Sequence, residues 1–241
     1  MHYHEHMSLL DLDPGAITAD VRRTLGDSVR SMVSGEGDLE EVFATHQGDP
    51  GLFGPDSVTW RVHGDLSMFV GGIRALFLQT VHPLAMAGVA EHSDYRVDPL
   101  GRLHRTAAFV GTTTYAATPV AEQAIAVVRA VHNHVRGTAP DGRPYSANDP
   151  DLLTWVHATE VDSFLRAYQR YGSEPLSDTD ADRYLDEVAV TAIGLGAEWV
   201  PRSRAEMREY FRRVRPELHA GRQARDTARW LCFPPLPLAG R

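Results

Sequence analysis

Asp98-Pro99, Thr118-Pro119 and Asp149-Pro150 each put a side-chain oxygen directly before a proline at an expected helix start, and this pairing constrains the fold more than any other feature. A proline at the first helical position gives up only an amide that the helix could not bond, and the oxygen before it can cap a neighbouring amide. Ser177-x-x-Asp180 and Ser203-x-x-Glu206 have the form of capping boxes, which brings the marked helix starts to five. Stops are expected at Gly137, Gly172 and Gly196 and before Pro216. The one Asp-Gly pair, Asp141-Gly142, falls in a loop running from Thr138 to Asn148, and alternating strand-type runs are missing. An all-α fold follows, as a single helical domain over 14–241 behind a flexible N-terminus over 1–13. No repeat or linker divides it.

Composition narrows the chemistry. The chain has 241 residues, 43% hydrophobic, enough for one large packed domain. Its net charge of -8 gives no basic footprint for nucleic acid. All 24 basic residues are arginine, which excludes Schiff-base and P-loop lysine chemistry. The single cysteine, Cys232, excludes an internal disulfide framework, a Cys-rich zinc site and an iron–sulfur cluster. The N-terminus has no export signal, and the apolar run from Met68 to Ala90 is broken by Arg74, Gln79, His82 and Pro83, so it reads as a buried core segment. A cytoplasmic protein is expected, with membrane association as the alternative.

Twelve histidines concentrate attention on helix faces. In a helix from Pro119 to Arg136, the apolar arc of Val120, Ala124, Ile125, Val127, Val128, Val131 and Val135 contains His132 and leaves His134 just outside. In a helix from Pro150 to Tyr171, His157 shares a stripe with Leu153, Val161, Phe164 and Tyr168. Periodicity buries both imidazoles, and each could be a hydrogen-bonded core histidine or a metal ligand. In the helix opening at Asp98, Arg102, Thr106, Phe109 and Thr113 fall on one face, with His104 and Arg105 alongside. Two cations beside an apolar helix suit an anionic group such as propionate or phosphate. Cys232 as a thiolate ligand lacks a Gly-rich frame, and Glu91-His92 with His157-x-x-Glu160 do not match the order or number of a di-iron bundle.

These residues fall in an ordered series. Leu76-Phe77-Leu78-Gln79-Thr80-Val81-His82-Pro83 is followed by Gly88-Val89-Ala90-Glu91-His92-Ser93-x-Tyr95 and Asp98-Pro99-x-x-Arg102-Leu103-x-x-Thr106. Then come Val131-His132-x-x-Val135-x-Gly137, Tyr145-x-Ala147-x-Asp149-Pro150-x-Leu152-Leu153-x-Trp155-Val156-His157 and Tyr171-Gly172. From about Trp60 to Pro201 the series resembles the oxygenase MpaB and latex-clearing rubber oxygenase family. The resemblance implies a globin-like helical core around a non-covalent haem b and its iron. It also implies dioxygen-dependent cleavage of carbon–carbon double bonds, performed on polyisoprene in the rubber branch. By that resemblance His132 is the proximal iron ligand. Arg102 and Thr106 match the family's Arg-x-x-x-Thr motif, with roles toward oxygen, substrate or propionate, and Arg105 joins them as a cofactor-binding cation. The expected partners are haem, dioxygen and a small apolar, unsaturated or isoprenoid-like substrate. A non-catalytic haem sensor or carrier is the alternative, and a haem-free helical enzyme a third. The apolar stretch Trp230 to Leu238, with the C-terminus read as shortened, is expected to mediate dimerisation or peripheral membrane contact.

Overall fold

The computed structural model describes residues 48–93 and 99–232. Its helices are α1 (Val58–His63), α2 (Ser67–Thr80), α3 (Pro83–His92), α4 (Pro99–Tyr115), α5 (Thr118–His132), α6 (Pro150–Tyr171), α7 (Asp178–Leu195), α8 (Arg204–Val214) and α9 (Arg222–Cys232). A two-stranded antiparallel hairpin, β1 (Arg136–Thr138) with β2 (Pro144–Ser146), lies between α5 and α6. The protein is all-α apart from that hairpin. The expected N-terminal segment 1–13, the cap at Asp98, and most of Trp230 to Leu238 lie outside the described residues.

Helix α6 is the axis of the core, and the sequence marks set its ends. Asp149 accepts hydrogen bonds from the amides of Asp151 and Leu152, Pro150 opens the first turn, and Gly172 caps the last. Trp155 and Tyr168 on α6 are fully buried, together with Tyr184 and Leu185 on α7. Ser177 and Ser203 cap α7 and α8 by accepting from the amides of Asp180 and Glu206, as their boxes predict. Gly196 ends α7 at φ +112°, a conformation that favours glycine.

Three local expectations are corrected. Thr118 is not a cap: the helix starts at Thr118 with no side-chain cap on Ala117, and the Thr118 hydroxyl donates to Asp49 instead. Helix α5 ends at His132, not Arg136, because the chain must turn into β1, and Gly137 sits in that strand, not at a helix stop. Asp141-Gly142 does lie between strands. Gly142 takes φ +85°, and Asp141 accepts from the Arg143 backbone and side chain, closing the hairpin loop.

Helix α2 meets α6 at glycine distance. A Cβ on Gly71 would lie 2.8 Å from Phe164 Cδ1 and 2.9 Å from both Phe164 Cα and the Ser163 carbonyl oxygen, and two of those atoms are backbone. A methyl on the adjacent Gly72 meets its nearest atom, Phe164 Cε1, at 3.9 Å. Gly71→Ala is therefore expected to destabilise by about 1–3 kcal/mol through overpacking. Gly72→Ala should be neutral or stabilise by up to about 1 kcal/mol through helix propensity. Urea unfolding of the pair reads the difference in sign. Across the same interface Asp162, 5% exposed, receives Arg74 at 3.0 Å and Arg166 at 2.8 Å, so the buried carboxylate is paired from both helices.

The opposite face of α2 is open: Phe69, Val70 and Ile73 are exposed, so the apolar run from Met68 is only partly buried. No single described helix is long and apolar enough to cross a membrane, and the α2–α3 pair that would suffice is bent by 104°.

Candidate functional site

Residues from α1 through α7 and from β2 enclose a cavity of about 460 Å³, within the range of roughly 300–1,000 Å³ usual for small-molecule and cofactor sites. Most of its wall is apolar, from Val89 and Phe109 to Leu153, Phe164 and Val188. One end reaches the surface at the exposed residues His92, Arg105 and Val131. Thr114, His157 and Phe164 on its wall are buried.

His132 lines this cavity from the last turn of α5. It is half-buried, as the arc predicts, but the arc itself is not: Val127 and Val131 are more than half exposed. The Nδ1 atom of His132 is buried without a hydrogen-bond partner, and burial holds the imidazole below its ordinary pKa. A buried ring nitrogen without a partner is unusual for a core histidine, which is expected to be satisfied, and leaves a nitrogen open to a ligand. Among the described residues no group of three or more His, Cys, Asp or Glu is placed to hold a bare metal ion.

Arg102 and Arg105 both line the cavity, and Arg102 donates to Ser93 Oγ at 2.5 Å. Phe109 and Thr113, from the same predicted stripe, line it too. Thr106 does not. It is exposed, and its hydroxyl donates to the Arg102 carbonyl at 3.1 Å, one turn back on its own helix. Cys232 is exposed on α9 and lies outside the lining.

The structure adds groups that helix periodicity did not single out. His63, at the end of α1, bonds Thr114 Oγ1 through Nδ1 at 2.8 Å and Tyr184 Oη through Nε2 at 3.0 Å. Because the Thr114 hydroxyl is donated to the Val110 carbonyl, His63 Nδ1 carries the proton and Nε2 accepts from Tyr184. At the surface end, Tyr145 donates to Glu91 Oε2 at 2.5 Å and lies 3.1 Å from His92 Nε2, which must then be the donor to the phenol oxygen. Burial first, then Glu91, raises the Tyr145 hydroxyl to about 12. Gly137 explains itself here: a Cβ would lie 2.7 Å from Tyr145 Oη and 2.8 Å from Glu91 Oε2. The glycine of the Val-His-x-x-Val-x-Gly motif keeps room for that pair.

Glu160 lines the cavity one turn beyond His157. Burial alone pushes its carboxyl up to about 7, and burial pushes the imidazoles of His63 and His157 down to about 3 and 4, with Arg202 adding to the latter. These shifts predict how stability responds to acid. Below pH 6.5 an unfolded chain protonates both histidines while the folded one does not, which favours unfolding. Glu160 opposes this, because the folded carboxyl holds its proton from about pH 7 downward and an unfolded one only near 4.5. The balance grows from a fraction of a proton at pH 6.5 to about one proton at pH 5, so stability should fall by about 1 kcal/mol per pH unit averaged over that interval. Glu160→Gln removes the opposing group and should roughly double that slope, read from urea midpoints across the interval.

A protein-family model described as ER-bound oxygenase mpaB/B'/Rubber oxygenase, catalytic domain, matches residues 60–241. The match begins where the ordered motifs begin and runs beyond Pro201, where they end. No curated protein and no solved structure matches the chain.

Proposed function

The chain belongs to the family of ER-bound oxygenase mpaB/B' and rubber oxygenase catalytic domains, and from that premise we infer that it is an oxidoreductase using haem b and dioxygen to cleave a carbon–carbon double bond in a small apolar, unsaturated substrate. Both atoms of dioxygen end in the two carbonyl groups formed, so the overall reaction balances without an external reductant. The observation that carries the haem reading is His132, a neutral imidazole with a buried, unpartnered nitrogen on the wall of a mostly apolar cavity.

The residues present fit the group. His132 on the last turn of α5 would hold the iron through its imidazole, and the guanidinium groups of Arg102 and Arg105 would meet the propionates or other developing negative charge. Bound there, haem would supply the activation of dioxygen, chemistry that no side chain provides. The chain's own contribution is enclosure and orientation. Val89, Phe109 and Leu153 exclude water and favour an apolar substrate, while Ser93 fixes the Arg102 guanidinium from α3.

Titration of the purified protein with haemin tests this directly. A Soret band saturating near one haem per chain is expected, followed by oxygen consumption with unsaturated apolar compounds. A band that never saturates removes haem. A saturating band without turnover across a broad alkene panel favours a sensor or carrier.

A further inference from the structure

His157 and Glu160 stand three residues apart on α6, so their side chains are neighbours on one helix face. Both line the cavity, His157 buried and Glu160 half-buried, and Phe164, Val161 and Val188 line it too. Among the described residues neither makes a hydrogen bond or ion pair, and His157 Nε2 is buried with no partner. Two other buried polar groups nearby, His63 and Asp162, differ in this. His63 is satisfied on both nitrogens, by Thr114 and Tyr184, and Asp162 is paired with Arg74 and Arg166.

A cavity made for a pure hydrocarbon would not keep two unpaired polar groups in its wall, because each would stay desolvated and unbonded in the complex. With its pKa raised to about 7, Glu160 carries a proton in about half of the molecules at neutrality and in most of them below it, and is then a donor, while His157 is a neutral ring that presents a lone pair. The complementary ligand group must accept once and donate once in a small space. A hydroxyl does both. A carbonyl oxygen accepts from Glu160 but leaves the imidazole lone pair unmatched, and an ammonium brings a charge whose desolvation these two groups offset poorly.

We propose that His157 and Glu160 form a hydroxyl-recognition subsite in the wall of the cavity, and that the substrate is an apolar alcohol. Its hydroxyl accepts from the Glu160 carboxyl and donates to the His157 ring. Its hydrocarbon body extends along the apolar wall toward His132. The proposal rests on the reading of this cavity as the substrate chamber and is tested by binding, independently of turnover.

The test is calorimetric titration of the purified protein, with and without added haem, using a matched ten-carbon set: citronellol, its methyl ether, 2,6-dimethyloct-2-ene and citronellylamine. Wild type is expected to bind the alcohol at least 10-fold more tightly than the hydrocarbon, with the methyl ether between them and the amine no better than the ether. Glu160→Leu should bring alcohol and hydrocarbon together. Glu160→Gln, whose amide still donates, should keep most of the gap, and His157→Phe should reduce it to the level of the ether. Equal affinity for alcohol and hydrocarbon in wild type overturns the proposal, as does an undiminished gap in a folded Glu160→Leu protein or a preference for the amine. Should Glu160→Leu fail to fold, the ether comparison in wild type decides. A missing Soret band beside an intact alcohol preference removes the haem reading alone, and a normal Soret band with no alcohol preference removes this subsite alone.

Discussion

His132→Ala is expected to abolish stoichiometric haem retention in a protein that still folds, while His157→Ala leaves the Soret band largely intact. The contrast is useful because the two residues are matched controls: both line the same cavity and both carry a buried nitrogen with no partner. Truncating either leaves no former hydrogen-bond partner unsatisfied, so the effect on stability is confined to lost packing. Loss of an axial ligand should weaken haem binding by more than the roughly 10–100-fold that loss of an outer-shell partner brings. Haemin titration with far-UV circular dichroism on each variant makes the measurement. Haem lost from His157→Ala and kept by His132→Ala would move the axial ligand to α6.

Arg102→Ala should reduce oxygen consumption per bound haem by about 100-fold or more, the effect expected when a charge-assisted contact that strengthens only in the transition state is lost. Arg102 is half-buried on the cavity wall with its guanidinium 2.5 Å from Ser93 Oγ, whereas Arg105 is exposed to solvent. Arg105→Ala is accordingly expected to loosen haem with little change in rate per haem. Thr106→Ala should change turnover per haem by less than about 3-fold, because its hydroxyl is already engaged with the Arg102 carbonyl. Rates normalised to haem content separate the roles. An unchanged rate per haem in Arg102→Ala would assign that residue to anchoring.

Much of this was legible in the residues because local chemistry and global packing agree. Helix α6 runs from Pro150 to Tyr171, the bounds its Asp-Pro start and its glycine predict, and His157 falls on its buried stripe. The hairpin was not legible, since strands of three residues are too short to show alternation. Thr106 shows the limit of helical spacing as a guide to a site. Position i+4 shares a face with Arg102, but a short hydroxyl side chain can turn back to its own helix. His63 lay on no long periodic stripe, so only the tertiary approach of α1 to α4 and α7 reveals it. Glu160 carried a signal of another kind. A carboxyl beside an apolar stripe contradicts the pattern around it, and such local contradictions are where function is expected.

The bond between α1 and α7 also dates the cavity. Thr59 donates both its amide and its hydroxyl to Glu187 Oε2, at 2.9 and 2.8 Å, across 128 residues of chain. During synthesis at about 5–20 residues per second, Thr59 waits roughly 6–26 s for that partner to be made. Until then α7 cannot close over His63, and the chamber does not yet exist. Closure of the cavity thus follows the synthesis of α7, and for those seconds its future wall is open to water.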